Sequence, residues 1–193
     1  MTAPAQAQPG LAGGLNFSSI DDAVGSEASQ EGLLDQSTGF HIGVFYNVDV
    51  GPVSLRPGVF FREIGQYQLQ REENGVTENF DLRSLEIPLD TRLHVLSLPL
   101  IRTYVLAAPV IGLPGGDEGI RDATENLSLT ADIGAGFEVS VPGVRATVKP
   151  EFRYSLGGTS FFQDEFEVGN ATFRPEDADQ FTSVMLRLGV MFR

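Results

Sequence analysis

Asp132 and Glu138 in one run, and Lys149, Glu151 and Arg153 in the next, occupy a single parity of two alternating stretches. The stretches flank Val141-Pro142-Gly143-Val144 and together fill Asn126–Gly157. Residues two apart leave a strand on the same side, so these carboxylates and cations share one face. A mixed-sign face of this kind can pair its own ions, bind a polar ligand, line a narrow pore or supply an acid–base pair. Glu138 and Glu151 are the carboxylates for the last role, but the basic residues beside them favour the ionised form of both, which argues against it. Ion pairing is the chemistry expected.

The same parity reading extends the set along the chain. It adds Arg56 and Arg62, then Glu86, Asp90 and Arg92, and finally Arg187. Signs alternate among facing positions, as in a self-neutralising interior rather than an open site. The two histidines are the remaining candidates for catalysis. A lipid-modifying hydrolase would need histidine, a serine nucleophile and a carboxylate within hydrogen-bond reach. His41 falls on the polar face of its strand near one rim, with serines and acids in the adjoining links, and His94 falls near a short turn at the opposite rim. Neither stands in a motif. Gly112–Gly116 and Gly157-Gly158 lack the lysine and helix of a phosphate loop. There is no cysteine, so disulfides and thiolate metal sites are excluded. No catalytic residue, cofactor or metal ligand is therefore expected.

The elements that hold this face are strands. Leu127, Leu129, Ala131, Ile133, Ala135, Phe137 and Val139 oppose the polar parity in the first run. Ala146, Val148, Pro150, Phe152, Tyr154 and Leu156 do so in the second. Folding the pair at Pro142-Gly143 sets Ser140 opposite Arg145, Asp132 opposite Arg153, and Gly134 and Gly136 opposite Glu151 and Lys149. A second hairpin repeats the plan. Phe40–Val48 and Val53–Phe61 reverse at Gly51-Pro52, where glycine in the first turn position fits a type II′ turn. That register sets Phe45 against Gly58, Phe60 against Gly43 and Asn47 against Arg56. Further strands are read around Leu11–Phe17, Leu85–Leu93, Leu100–Ala108 and Val184–Phe192, and both parities of the fifth are apolar between Val105 and Ile111. Segment 66–80 is read as a possible extension of two strands around Asn74-Gly75.

Eight strands are joined by two kinds of connection in strict alternation. Short turns lie near 50–52, 94–99 and 141–144, and long links at 21–37, 66–80, 112–126 and 157–180. Those links hold most of the 26 acidic residues in a chain of net charge −13. Such a charge argues against nucleic acid as a partner. Sorting loops by length at the two ends is the plan of a transmembrane β-barrel. The fold expected is an all-β, eight-stranded antiparallel up-and-down transmembrane barrel over residues 10–193, with both termini on the periplasmic side. Residues 1–9, with Ala5-Gln6-Ala7 like a signal cleavage site, are read as a signal remnant or disordered tail. The apolar faces then meet lipid through Val44, Val59, Ile87 and Leu89, through Leu129, Ile133, Val148 and Phe152, and through Leu186 and Leu188. Pro57, Pro88 and Pro150 inside strands call for bulges. With no tryptophan in the chain, aromatic girdles would fall to Tyr46, Tyr104, Tyr154, Phe40, Phe152 and Phe192.

The chain resembles the PorT-like outer-membrane β-barrel family of Bacteroidota-type envelopes. The resemblance is carried by Leu85-Glu86-Ile87-Pro88-Leu89, by Tyr104–Pro109 (YVLAAP), and by the strand-like C-terminus Val184–Phe192. It implies a small barrel in a bacterial outer membrane, in contact with its lipid, and some members are linked to protein secretion, so other envelope or secretion proteins are expected partners. It assigns no site residues. The function expected is structural or surface-interacting, through acidic external loops around a polar, ion-paired interior. Two alternatives differ in kind: a soluble lipocalin-like calyx with an apolar interior, and an outer-membrane lipid-active hydrolase built on His41.

Overall fold

A computed structural model of the chain describes residues 6–20, 37–71, 76–116, 127–157, 166–168, 171–173 and 181–192. The alternating segments form β1 (Gln6–Ile20), β2 (Ser37–Val50), β3 (Val53–Arg71), β4 (Val76–Ser97) and β5 (Ile101–Gly116). They continue with β6 (Ser128–Ser140), β7 (Ala146–Gly157), a small hairpin of β8 (Phe166–Val168) and β9 (Ala171–Phe173), and β10 (Phe181–Phe192). All neighbours are antiparallel, and β1 pairs with β10, so the eight long strands close into a barrel in the order β1-β10-β7-β6-β5-β4-β3-β2. Closure pairs every wall strand on both sides, as a hydrocarbon surround demands. The expected fold class is the observed one.

The strands exceed the segments from which they were read. β1 begins at Gln6, and Gln6–Pro9 pair with Asp49–Tyr46, so these four residues belong to the sheet and not to a tail. Residues 1–5 lie outside the described residues. β3 and β4 continue through the expected link 66–80 as a paired ribbon from Gln66↔Asp81 to Arg71↔Val76. The Asn74-Gly75 turn lies outside the described residues, as do residues 21–36 and 117–126. The N-terminal end of β1 and the C-terminal end of β10 both sit beside short turns, since Gln6 pairs with Asp49 and Phe192 with Ala146.

Local chemistry sets the turns. Gly51 has φ of 64°, a region that disfavours a side chain, and Val50 pairs with Val53 around a two-residue loop. The Phe45↔Gly58 and Gly43↔Phe60 register is the one expected. At the β6–β7 turn the expected register is corrected by two residues. Ser140 pairs with Thr147, Asp132 with Ser155, Gly134 with Arg153 and Gly136 with Glu151. Val141 N–H donates to the Ala146 carbonyl at 3.2 Å and Gly143 takes φ of 77°, so the loop spans Pro142–Arg145 rather than a two-residue Pro-Gly. A shift of two keeps every side chain on its face.

The in-strand prolines are also handled differently from expectation. The register shifts at Glu63/Gly65 and at His94/Leu96, not at a proline. Pro57 stays paired with Leu89, Pro88 with Val110 and Pro150 with Leu188. On the other side of Pro57 and Pro150 the ladder lapses briefly and resumes in the same register, between Phe45↔Gly58 and Val48↔Leu55 and between Gly136↔Glu151 and Val139↔Val148. The β10 ladder runs unbroken past Pro150, whereas the β3–β4 ladder also lapses beside Pro57, between Pro57↔Leu89 and Phe60↔Glu86.

The polarity is inverted relative to a soluble domain. Val44, Val59, Ile87, Leu89, Leu129, Ile133, Phe152, Leu186 and Leu188 are exposed on the outer wall, and Val148 is half-buried there. Leu188 is 54% exposed and Lys149 0%. That contrast overturns the soluble calyx, whose interior would be apolar. Phe40, Tyr46, Phe152 and Phe192 lie exposed on the outside and Tyr154 is half-buried. Tyr104 is corrected: it points into the lumen, 1% exposed, and joins no girdle.

Candidate functional site

Arg56, Arg62, Glu86, Asp90, Arg92, Asp132, Glu138, Lys149, Glu151, Arg153 and Arg187 are all buried, within the barrel. An eight-stranded barrel is just wide enough for side chains to fill, so ions from opposite walls can touch. In mid-lumen Asp90 of β4 accepts from Arg56 Nε at 2.7 Å and from Arg153 Nη1 at 3.0 Å. Glu151 of β7 pairs with Arg56 at 2.9 Å, with Arg153 at 2.9 Å and closely with Arg92. Asp132 of β6 adds a contact to Arg153 at 3.3 Å. Three guanidiniums and three carboxylates thus lock together at one level. A guanidinium suits this position because its planar fork reaches several carboxylate oxygens at once.

Toward the short-turn end a second group forms around Glu138. Lys149 Nζ lies 2.7 Å from it, Arg102 pairs closely with it, and His94 Nε2 is 3.4 Å away. Lys149 also donates to Asn47 Oδ1 at 3.4 Å, and Asn47 donates to Asp49 at 2.7 Å. Toward the long-loop end Arg62 pairs with Glu86 at 2.9 Å and donates to Ser183 Oγ at 2.6 Å. The polar residues therefore stack in tiers along the bore.

Several members of this interior are not legible as ions. Tyr104 donates its hydroxyl to Glu151 at 2.8 Å, and its ring lies 4.5 Å beneath the Arg92 guanidinium. Phe45 and Phe60 serve Arg56 and Arg187 in the same way, at 4.4 and 4.1 Å. The signal for the phenylalanines was their polar parity opposite Gly58 and Gly43, since a glycine opposite a large ring leaves room for it. Tyr104 faces Gly136, but the mixed parity of β5 hid its direction.

His41 is 1% exposed and lies inside the wall, not at an open rim. Its Nε2 accepts from Arg187 Nε at 3.1 Å, and its ring packs edge-on to Phe60. Among the described residues no serine or carboxylate is placed against its ring, and the link 21–36, with the serines and acids read beside it, lies outside the described residues. Nor do any three His, Asp or Glu residues, among those described, converge as metal ligands.

No family model matches the chain, and no curated protein matches it. Solved structures do. Neisserial surface protein A (NspA) superposes with a TM-score of 0.64 at 12% identity, covering 98% of this chain and 99% of its own. Ail, the attachment invasion locus protein of Yersinia pestis, gives 0.44 at 12% identity, covering 97% and 99%. The outer membrane protein AlkL gives 0.48 at 15% identity, covering 96% and 90%. The likeness to NspA runs over the whole of both chains and is one of fold. Even strand number, closure, an apolar exterior and short turns at one end complete a transmembrane barrel, and that architecture belongs to the bacterial outer membrane.

Proposed function

We propose that the barrel is a plugged membrane anchor, non-enzymatic, whose role is structural or surface-interacting through its four long connections. The observation that carries this reading is the mid-lumen cluster in which Arg56, Arg92 and Arg153 meet Asp90 and Glu151 across the bore. Side chains that bind one another across the full width leave no continuous aqueous path. The working surface is then the end opposite the short turns, where the sequence of segments 21–37, 112–126 and 157–180 is rich in Asp and Glu. Long acidic segments of that kind suit contact with basic surfaces or with other envelope proteins. Kinship with PorT-like barrels, and with it a place beside secretion proteins, belongs to this proposal and rests on Leu85–Leu89 and Tyr104–Pro109.

The test is cell fractionation with surface proteolysis, followed by planar-bilayer recording of the purified barrel. Recovery with outer membranes, cleavage from outside within 21–36 or 117–126, and no stable conductance steps are expected. Stable, reproducible channels in the wild-type protein would sink the plugged reading. Cleavage only from the periplasmic side would reverse the assigned orientation.

A further inference from the structure

Among the described residues the lumen buries six cations and five carboxylates, and the surplus can be traced to one side chain. Arg56, Arg92 and Arg153 share Asp90, Glu151 and Asp132. Arg62 has Glu86 at 2.9 Å and Lys149 has Glu138 at 2.7 Å. Arg187 has none. It is 3% exposed, and its Nη1 is buried without a hydrogen-bond partner. The carboxylate nearest in register is Glu151, directly across from it on β7. That carboxylate already accepts from Arg56, Arg92, Arg153 and Tyr104.

The groups that do touch Arg187 carry no negative charge. Its Nε–H donates to His41 Nε2, so that nitrogen bears no proton and the imidazole is the neutral Nδ1–H form. Phe60 offers the face of its ring, which attracts a cation without neutralising it. Gly14, which lies between His41 and Arg187 in the β2-β1-β10 register, brings no side chain. A buried charge left without a counter-ion is strongly disfavoured. A guanidinium cannot escape by losing its proton. Toward the long-loop end the hydroxyls of Ser18 and Ser183 both accept from Arg62 Nη2, so they too bring no negative charge to Arg187.

We propose that Arg187 is the anchor of a small-anion site in the upper lumen, occupied by a monovalent halide-type ion drawn from the medium. The ion accepts from Arg187 Nη1 and completes the charge balance of the interior. It is a structural counter-ion, so its binding couples to folding: an ion that binds the native barrel and not the unfolded chain raises stability with its concentration.

The experiment uses the full-length barrel refolded in detergent, crystallised from bromide, with anomalous data collected at the bromine edge. The same protein is unfolded in urea in chloride and in gluconate at equal ionic strength. The expected result is an anomalous peak within hydrogen-bonding reach of Arg187 Nη1, with a higher urea midpoint in chloride than in gluconate. In Arg187→Gln both the peak and the chloride increment should disappear. Should Arg187→Gln fail to fold, displacement of the wild-type peak by iodide in a second soak takes its place. No peak at Arg187, an equal midpoint in both salts, or a peak that persists in Arg187→Gln would overturn the site.

Discussion

Asp90 and Arg153 form a two-armed ion pair across the lumen, with Nη1–Oδ1 at 3.0 Å, although three strand-to-strand steps separate β4 from β7. The pair ties opposite walls that no backbone ladder joins. Removing one partner alone strands charge in a dry interior. Asp90→Ala is therefore expected to lower stability by about 3–5 kcal/mol, the range for breaking a buried ion pair. Replacing both, as Asp90→Leu with Arg153→Met, should recover a large part of that loss. Urea unfolding from lipid vesicles measures both. An additive loss in the double variant would show that the pair is not a coupled unit.

Gly136 and Tyr104 make a second, steric prediction. A Cβ added at Gly136 would meet the Tyr104 hydroxyl at 2.6 Å and the Pro150 carbonyl oxygen at 2.8 Å. The backbone cannot yield, so the ring must leave Glu151. Gly136→Ala should cost about 1–3 kcal/mol, as overpacking does. Gly189→Ala is the control, because its nearest neighbour would lie 3.5 Å away. That change should fall within about 0.5 kcal/mol of wild type. Equal urea midpoints for the two variants would remove the argument.

Much of this architecture was legible because lipid and lumen impose opposite chemistries on alternate residues. Outside 21–37, 63–81, 112–126 and 157–180 the acids are Asp49, Glu86, Asp90, Asp132, Glu138 and Glu151, and all six line the bore or its mouth. β5 resisted, because Leu106, Ala108 and Val110 face inward and are apolar like their outward neighbours. Their setting is decided by what lies across the barrel, which one strand cannot reveal. The β6–β7 register was missed for a related reason. Pro142-Gly143 marks where a turn falls, but the bond from Val141 to Ala146 fixes its length. The pairings of Arg56 with Glu151 and of Arg153 with Asp90 cross the lumen, so no neighbouring-strand rule could have found them.

Leu188 and Arg187 are consecutive, yet one faces the outer wall at 54% exposure and the other is 3% exposed inside. Charge placed on the outer parity meets hydrocarbon. Leu188→Arg is expected to destabilise the barrel in bilayers by about 2–4 kcal/mol, the range for arginine near the midplane of a barrel's lipid face. Equilibrium unfolding in vesicles measures it. A neutral result would mean that Leu188 lies outside the hydrocarbon layer.

The chain has no tryptophan, so a single introduced indole reports on its own site without background. Phe152 is 51% exposed on the outer wall, and Phe60 is 1% exposed against Arg187 and His41. In Phe152→Trp, emission should be quenched by lipids brominated on their acyl chains, because the ring sits among them. In Phe60→Trp the same lipids should have little effect, since the β3 wall stands between ring and lipid. The larger indole will strain the lumen at position 60, so the comparison is read in the folded fraction, separated by heat-modifiable gel mobility. Equal quenching at both positions would mean that the two faces are not sorted between lipid and lumen. The membrane topology argued from Leu129, Leu186 and Lys149 would then fail with it.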